Sequence, residues 1–201
     1  MVPVIATSAA SPEHDGSRGS QPISPISVGV LIWLASELMF FAGLFAAYFV
    51  LKAANEPAWP PPGAELDVRL SLVATLLLVL SSLTVHVSVA AAQEGRHRRS
   101  SMMLAATVVL GAVFLGIQLY DYSALDFSIS SHAYGSIYYL LTGFHGLHVL
   151  GGLIALTVVG WVVFSRGSRA PAHRTLQVSS YYWHFVDVVW IAVFLTVFVV
   201  R

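Results

Sequence analysis

From residue 26 onward the chain runs in long apolar blocks separated by short polar stretches. Five of these blocks reach the roughly 20 mostly apolar residues that a membrane-crossing helix needs. They are about Ile26–Leu51, Leu70–Ala92, Met102–Tyr120, Ala133–Phe164 and Leu176–Val200. The pattern predicts an all-α fold, an integral membrane bundle of five transmembrane helices. The fourth block is longer than the bilayer requires, so it is expected to tilt or to project beyond it. No internal repeat is evident, which weakens an inverted-repeat transporter reading. Residues 1–25, MVPVIATSAASPEHDGSRGSQPISP, are a different material, rich in Ser, Pro, Ala and Gly and without periodicity. They read as a disordered cytoplasmic tail. Their apolar run VPVIA is too short for a signal-peptide core.

Composition agrees with this division. Of 201 residues, 57% are hydrophobic and 10% charged, and mean hydropathy is +0.76; soluble domains are about 25% charged. Formal net charge is zero, which gives no electrostatic basis for binding nucleic acid. Cysteine is absent, which excludes thiolate copper sites, iron–sulfur clusters and the CxxCH attachment of haem.

Orientation follows from the basic residues between the blocks, since cytoplasmic loops carry the excess of Lys and Arg. EGRHRRS carries Arg96, Arg98 and Arg99, and SRGSRAPAHRT carries Arg166, Arg169 and Arg174. The other two loops set Lys52 and Arg69 against Glu56, Glu65 and Asp67, or, in YSALDFSISSH, have no Lys or Arg. The N-terminus is therefore expected in the cytoplasm and the C-terminus outside. In the first outer loop WPPP, Trp59 to Pro62, is expected to be stiff and extended, with Trp59 at the lipid headgroups.

Small residues mark where the helices pack, because they let backbones approach where lipid supplies no hydrophobic drive between helices. The fourth block carries Gly143, Gly146, Gly151, Gly152 and Ala155, and the second Ala74, Ser81, Ser82 and Ser88. Gly146 is expected at a close crossing beside the histidines of TGFHGLHVLGG.

Ionisable residues inside membrane spans are rare and face a protein interior or a water path. Here they are Glu37, His86, His145, His148, His184 and Asp187, with Asp121 at the outer end of the third block. At about 1.5 Å of rise per residue, Glu37, Asp187, His145 and His148 all fall near mid-membrane, and His86 closer to the cytoplasm. Residues three apart share a helix face, which pairs His145 with His148 and His184 with Asp187. Glu37 lies on a stripe with Trp33, Phe41 and Tyr48. These groups suggest a polar belt shared by spans one, four and five. A dinuclear metal site would use Glu-x-x-His on two helices and two further Glu, a set for which this chain is short of carboxylates. A bis-histidine haem would need two histidines facing across a pocket, and His148 and His184 are the candidates. The third reading, which we prefer on the residues alone, is a buried hydrogen-bonded network that fixes helix register, with Glu37 as a candidate for handling protons.

Four stretches then carry a resemblance: SELMFFAGLFAAYF (Ser36–Phe49), AWPPPG (Ala58–Gly63), AYGSIYYLLTGFHGLHVLGG (Ala133–Gly152) and SYYWHFVDVVW (Ser180–Trp190). In this order, from about Ile26 to the C-terminus, the chain resembles subunit III of the haem-copper cytochrome c oxidases. The resemblance implies a non-catalytic helical subunit with no catalytic, cofactor-binding or metal-binding residue of its own. Haem a and copper would reside in partner subunits. It implies direct contact with subunit I, a complex with subunit II and small subunits, bound phospholipid in a bacterial plasma membrane, and assembly with a cytochrome bc complex. The implied role is to support proton uptake and to protect the catalytic centre during turnover, within an aa3-type enzyme that reduces oxygen to water and pumps protons. Glu37 falls on the family's buried carboxylate, and His145, His148, His184 and Asp187 fall on its two signature helices, which favours the network reading. The larger members have seven helices, and this chain lacks the equivalents of the first two; Asp121 stands where Glu is common. Five-helix forms also occur in quinol oxidases. SELMFF and GFHGLHV lean to the cytochrome c branch, although the electron donor is chosen elsewhere in the complex.

The arginine bias makes a direct prediction in this cysteine-free background. Single cysteines at Arg98 and Ser168 are expected to react with a membrane-impermeant thiol reagent only from the cytoplasmic side, and one at Ala58 only from outside. Labelling of Ser168→Cys in intact cells would overturn the five-span topology.

Overall fold

The computed structural model describes residues 25–165 and 170–200. These form five helices: α1 (Pro25–Asn55), α2 (Val68–Gln93), α3 (His97–Ala124), α4 (Ala133–Ser165) and α5 (Ala170–Phe194), the last continuing as a π-helical turn, Leu195–Val199. All five are long and apolar enough to cross a membrane. The first four each contain one of the apolar blocks and extend it, α3 by several residues at both ends, so that Asp121 lies within the helix; the fifth block begins inside α5 and runs on through the π-helical turn. The expected tail falls outside the described residues apart from Pro25, which opens α1; Arg166 and Arg169 also lie outside them. Proline suits a first helical position, where the missing N–H has no intrahelical partner.

Local chemistry sets the helix ends. The Asp67 carboxylate accepts the N–H groups of Arg69 and Leu70, both at 3.0 Å, and caps α2. At the other end Gly95 takes φ +72°. The Arg96 N–H then reaches the Ala91 carbonyl at 2.8 Å, and the Gly95 N–H the Ala92 carbonyl at 3.1 Å. This is the paired closure in which a left-handed residue satisfies the last carbonyls, and it is why glycine stands there. The short turn makes α2 and α3 antiparallel neighbours. At the start of α4 the cap is a histidine: His132 Nδ1 accepts the Gly135 N–H at 2.8 Å.

Helices α2, α3, α4 and α5 pack in a ring, and α1 lies outside it against α4 and α5. Hydroxyl pairs stitch α2 to α3, Thr84 to Thr107 at 2.8 Å and the Ser88 hydroxyl to the Ser100 carbonyl at 2.8 Å. Of the small residues singled out in α2, Ala74, Ser81 and Ser88 are buried. Two tryptophans of α5 hold the ring together. The Trp183 N–H donates to Ser81 Oγ at 2.9 Å and the Trp190 N–H to Thr75 Oγ1 at 2.9 Å, both on α2.

Two expectations are corrected. Trp59 is buried within the protein, edge-on to both Tyr48 and Tyr134, and its N–H reaches the Tyr48 hydroxyl at 3.3 Å. The outer loop is not an extended rod. It turns back twice, with the Ala58 N–H on the Asn55 carbonyl and the Ala64 N–H on the Pro61 carbonyl, and so tucks the indole among the rings of α1 and α4. Gly146 is also not at a tight crossing, since a Cβ there would find its nearest neighbour, Leu115, at 3.9 Å. Close helix approaches are instead at Gly111 and Gly152, where a Cβ would lie 2.7 Å and 2.9 Å from the ring of Trp183, and at Gly160, where it would lie 2.7 Å from Leu104.

Alanine at Gly111 or Gly152 is accordingly expected to destabilise the protein by about 1–3 kcal/mol, because the ring is held by neighbours on three helices. Gly146→Ala is expected within about 0.5 kcal/mol of the parent. Thermal inactivation of the purified membrane complex measures all three, and a Gly146→Ala effect as large as the other two would refute this map of the contacts.

Candidate functional site: a carboxyl–imidazole pair between the first and fourth helices

The structure joins two of the residues singled out by sequence. Glu37 Oε2 on α1 lies 3.1 Å from His148 Nε2 on α4. His148 Nδ1 lies 2.7 Å from the carbonyl of Phe144, one turn earlier on the same helix. A carbonyl only accepts, so Nδ1 carries a hydrogen and donates it. Nε2 is then either the acceptor of a proton on Glu37 or the donor of one to its carboxylate. A proton placed on either group fits the same 3.1 Å contact.

The surroundings hold this geometry. The ring of Phe41 meets His148 edge-on with centroids 5.0 Å apart, and Phe40 packs edge-on to Phe144 at 5.0 Å. The Tyr182 hydroxyl of α5 donates to the His148 carbonyl at 3.0 Å, while the Tyr182 ring stacks on Trp33 of α1 at 5.1 Å. Three helices, α1, α4 and α5, therefore converge on the pair, α5 through Tyr182 rather than through His184 or Asp187. The pair nevertheless sits at the rim of the bundle: the side chains of His148 and Glu37 keep 16% and 22% of their surface exposed.

The other candidates stand apart from it. His145 is fully buried between Trp190, with ring centroids 4.8 Å apart, and the edge of Phe114 at 5.8 Å. Neither of its ring nitrogens has a hydrogen-bond partner among the described residues. Asp187 is buried on α5, and neither carboxyl oxygen is hydrogen-bonded among the described residues. His184 turns to α2 instead, with Nδ1 2.6 Å from Ser82 Oγ. Only Glu37 and His148 of the five are hydrogen-bonded to each other. His148 and His184 engage different seams, α1–α4 and α2–α5, which does not suit a shared haem. Among the described residues no group of three or more His, Cys, Asp or Glu side chains is gathered in the way a metal ion needs.

Sequence reasoning missed a second polar cluster between α3 and α4. The Tyr138 hydroxyl donates to Asp121 Oδ2 at 2.8 Å, and the Tyr122 hydroxyl donates to Thr142 Oγ1 at 2.7 Å. The available signal was QLYDY facing AYGSIYYLLT, two polar-aromatic segments at the same end of adjacent spans.

His148→Ala removes the partner of Glu37 and is expected to cost about 1–3 kcal/mol, the penalty of a polar group left unmatched in an apolar setting. His148→Gln, which can still meet the carboxyl, should recover part of it. Thermal denaturation of the purified complex reads the difference. Equal stability of His148→Ala and the parent would show that the contact does not hold α1 to α4.

Comparison with known proteins covers nearly the whole chain. The family model described as cytochrome c oxidase subunit III matches residues 9–200. The chain is 48% identical over 181 residues to a probable cytochrome c oxidase subunit 3 of Nocardia farcinica, covering 88% of each protein. It is 41% identical over 204 residues to the probable subunit 3 of Mycobacterium leprae, covering 100% of this chain and 98% of that one. It is 42% identical over 182 residues to the cytochrome c oxidase subunit 3 of Corynebacterium diphtheriae, with 88% of each covered. A family match over residues 9–200 and relatives 41–48% identical over most of their length lead to one conclusion: the chain belongs to the cytochrome c oxidase subunit III family.

Proposed function

We propose that this chain is the non-catalytic third subunit of an aa3-type cytochrome c oxidase in a bacterial plasma membrane, with its N-terminus in the cytoplasm. In this reading haem a and copper belong to partner subunits, subunit I is its direct neighbour, and the complex reduces oxygen to water while pumping protons. The chain's contribution is to support proton uptake and to stabilise the catalytic subunit. The single observation that carries the second part is the Glu37–His148 pair. It holds one exchangeable proton within the membrane, with imidazole orientation fixed by the Phe144 carbonyl and with an open edge at the rim of the bundle. Such a pair can take up or release a proton without rearranging its donors, because both placements share the same contact. An intramembrane ionisable pair that were merely decorative would be costly to keep. His145, His184 and Asp187 serve the same bundle as supports: His145 by packing between aromatic rings, His184 by tying α5 to α2.

Gentle purification through a tag on this chain tests the assignment. A large haem-copper subunit and the spectrum of haem a are expected to accompany it and to separate from it when detergent strips the chain away. Haem or iron remaining stoichiometric with the isolated chain would overturn the accessory-subunit reading. Turnover driven by quinol but not by reduced cytochrome c would move it to a quinol oxidase. In the intact complex Glu37→Gln keeps the side-chain shape and removes the ionisable proton. Assembly and electron transfer are expected to persist, while proton uptake into reconstituted vesicles slows or activity is lost in fewer turnovers. A variant equal to the parent in both measurements would reduce Glu37 to a residue that joins α1 to α4.

A further inference from the structure

The turn between α2 and α3 carries the densest positive charge among the described residues, and the helix that follows it begins with an apolar stripe. Arg96, His97, Arg98, Arg99, Met102 and Met103 line an open hollow of about 520 Å³ at this end of the bundle. The one acid in the turn, Glu94, is already engaged by Arg96. Arg98 and Arg99 are exposed, and neither forms an ion pair among the described residues. Exposed Met102 stands four residues after Arg98, on the same face of α3. The face continues through Ala105, Val109, Ala112 and Val113, all exposed, with Val109 at 61% and Val113 at 44%. Gly116 extends it, with nothing within 4 Å of where its Cβ would be.

From Arg98 to Val109 the helix rises about 16 Å, close to the half-thickness of a hydrocarbon core of about 30 Å. Two guanidinium groups above an apolar track of that length complement an anionic head joined to an acyl chain. A guanidinium offers paired N–H donors to phosphate oxygens and is weakly hydrated, so it suits a headgroup at the membrane boundary. A free phosphate would use the arginines and leave the track unexplained.

We propose that Arg98 and Arg99, with the Met102–Val113 face of α3, form a binding site for one anionic phospholipid of the leaflet nearest the α2–α3 turn. The site lies away from the Glu37–His148 seam and requires only that the chain span a membrane. It does not depend on which oxidase it serves. Surface-lipid electrostatics contribute about 1 kcal/mol per Arg or Lys, so each arginine is worth about fivefold in affinity and the two about thirtyfold.

The test uses the membrane complex purified through a tag on this chain. Native mass spectrometry measures the competition of phosphatidylglycerol against phosphatidylcholine of the same acyl chains. The parent is expected to prefer phosphatidylglycerol. Arg98→Gln/Arg99→Gln should lose about thirtyfold of that preference, and each single variant about fivefold; the single variants carry the test if the double one does not assemble. Arg98→Lys/Arg99→Lys, which keeps the charge, should retain most of it. An unchanged preference in the glutamine variants overturns the proposal, as does equal retention of both lipids by the parent. Inorganic phosphate that displaces phosphatidylglycerol at equal concentration would also overturn it, because the site would then be one for a free anion.

Discussion

Trp183 meets three neighbouring helices at once. Its ring lies where a side chain at Gly111 of α3 or Gly152 of α4 would have to be, and its N–H bonds Ser81 of α2. In lipid the surroundings of a bundle are as apolar as its interior, so helices are held by close packing and by polar groups that must find partners inside. A large ring with a single donor answers both demands if glycine clears the space and a hydroxyl waits behind it. Trp190, two turns further along α5, repeats the arrangement, with its N–H on Thr75, its face on His145 and its edge met by Phe114. These two storeys explain why α5 is the most buried of the spans, and they set how α4 is positioned beside it.

That positioning decides what the two histidines of α4 do. With Gly152 against Trp183, the carbonyl of His148 comes under the Tyr182 hydroxyl, and its ring turns to α1. Three residues along an α-helix is a rotation of about 300°, so neighbours on one face still point some 60° apart. Here that angle separates the ring interior from the outer seam. His145 points inward to rings alone, whereas His148 points outward to a carboxyl. One motif thus yields a histidine packed among rings and a histidine bonded to a carboxyl, and the difference arises from tertiary rotation.

The same reasoning says why some features were legible in the sequence and others were not. The bilayer imposes the length and hydropathy of a span on the chain itself, so five helices could be counted from the apolar blocks, and a polar belt shared by spans one, four and five could be expected. The use of small residues was legible in kind but not in position. Gly146 and Gly152 look equivalent in GFHGLHVLGG, and only the seating of the Trp183 ring tells them apart. Gly111, in α3, had no neighbour in sequence to reveal its role. The burial of Trp59 was not legible because the rings that receive it, Tyr48 and Tyr134, are distant in the chain. For the histidines, periodicity gives the face but not the partner that the face meets.

The position of α1 completes the argument. It packs mainly against α4 and α5, outside the ring joined by the tryptophans. What fastens α1 is a set of separate contacts along its length. Trp33 stacks on Tyr182, Glu37 meets His148, Phe40 packs on Phe144, and Lys52 donates to the Val200 carbonyl at the far end. A carboxyl placed in the ring would have been locked among neighbours, as Asp187 is. Placed on α1, it is held by contacts that span its whole helix yet remains at an open edge, with a partner whose other nitrogen is already committed to a carbonyl. The geometry therefore separates two settings: close packing inside the ring, and a hydrogen-bonded carboxyl–imidazole pair at its rim.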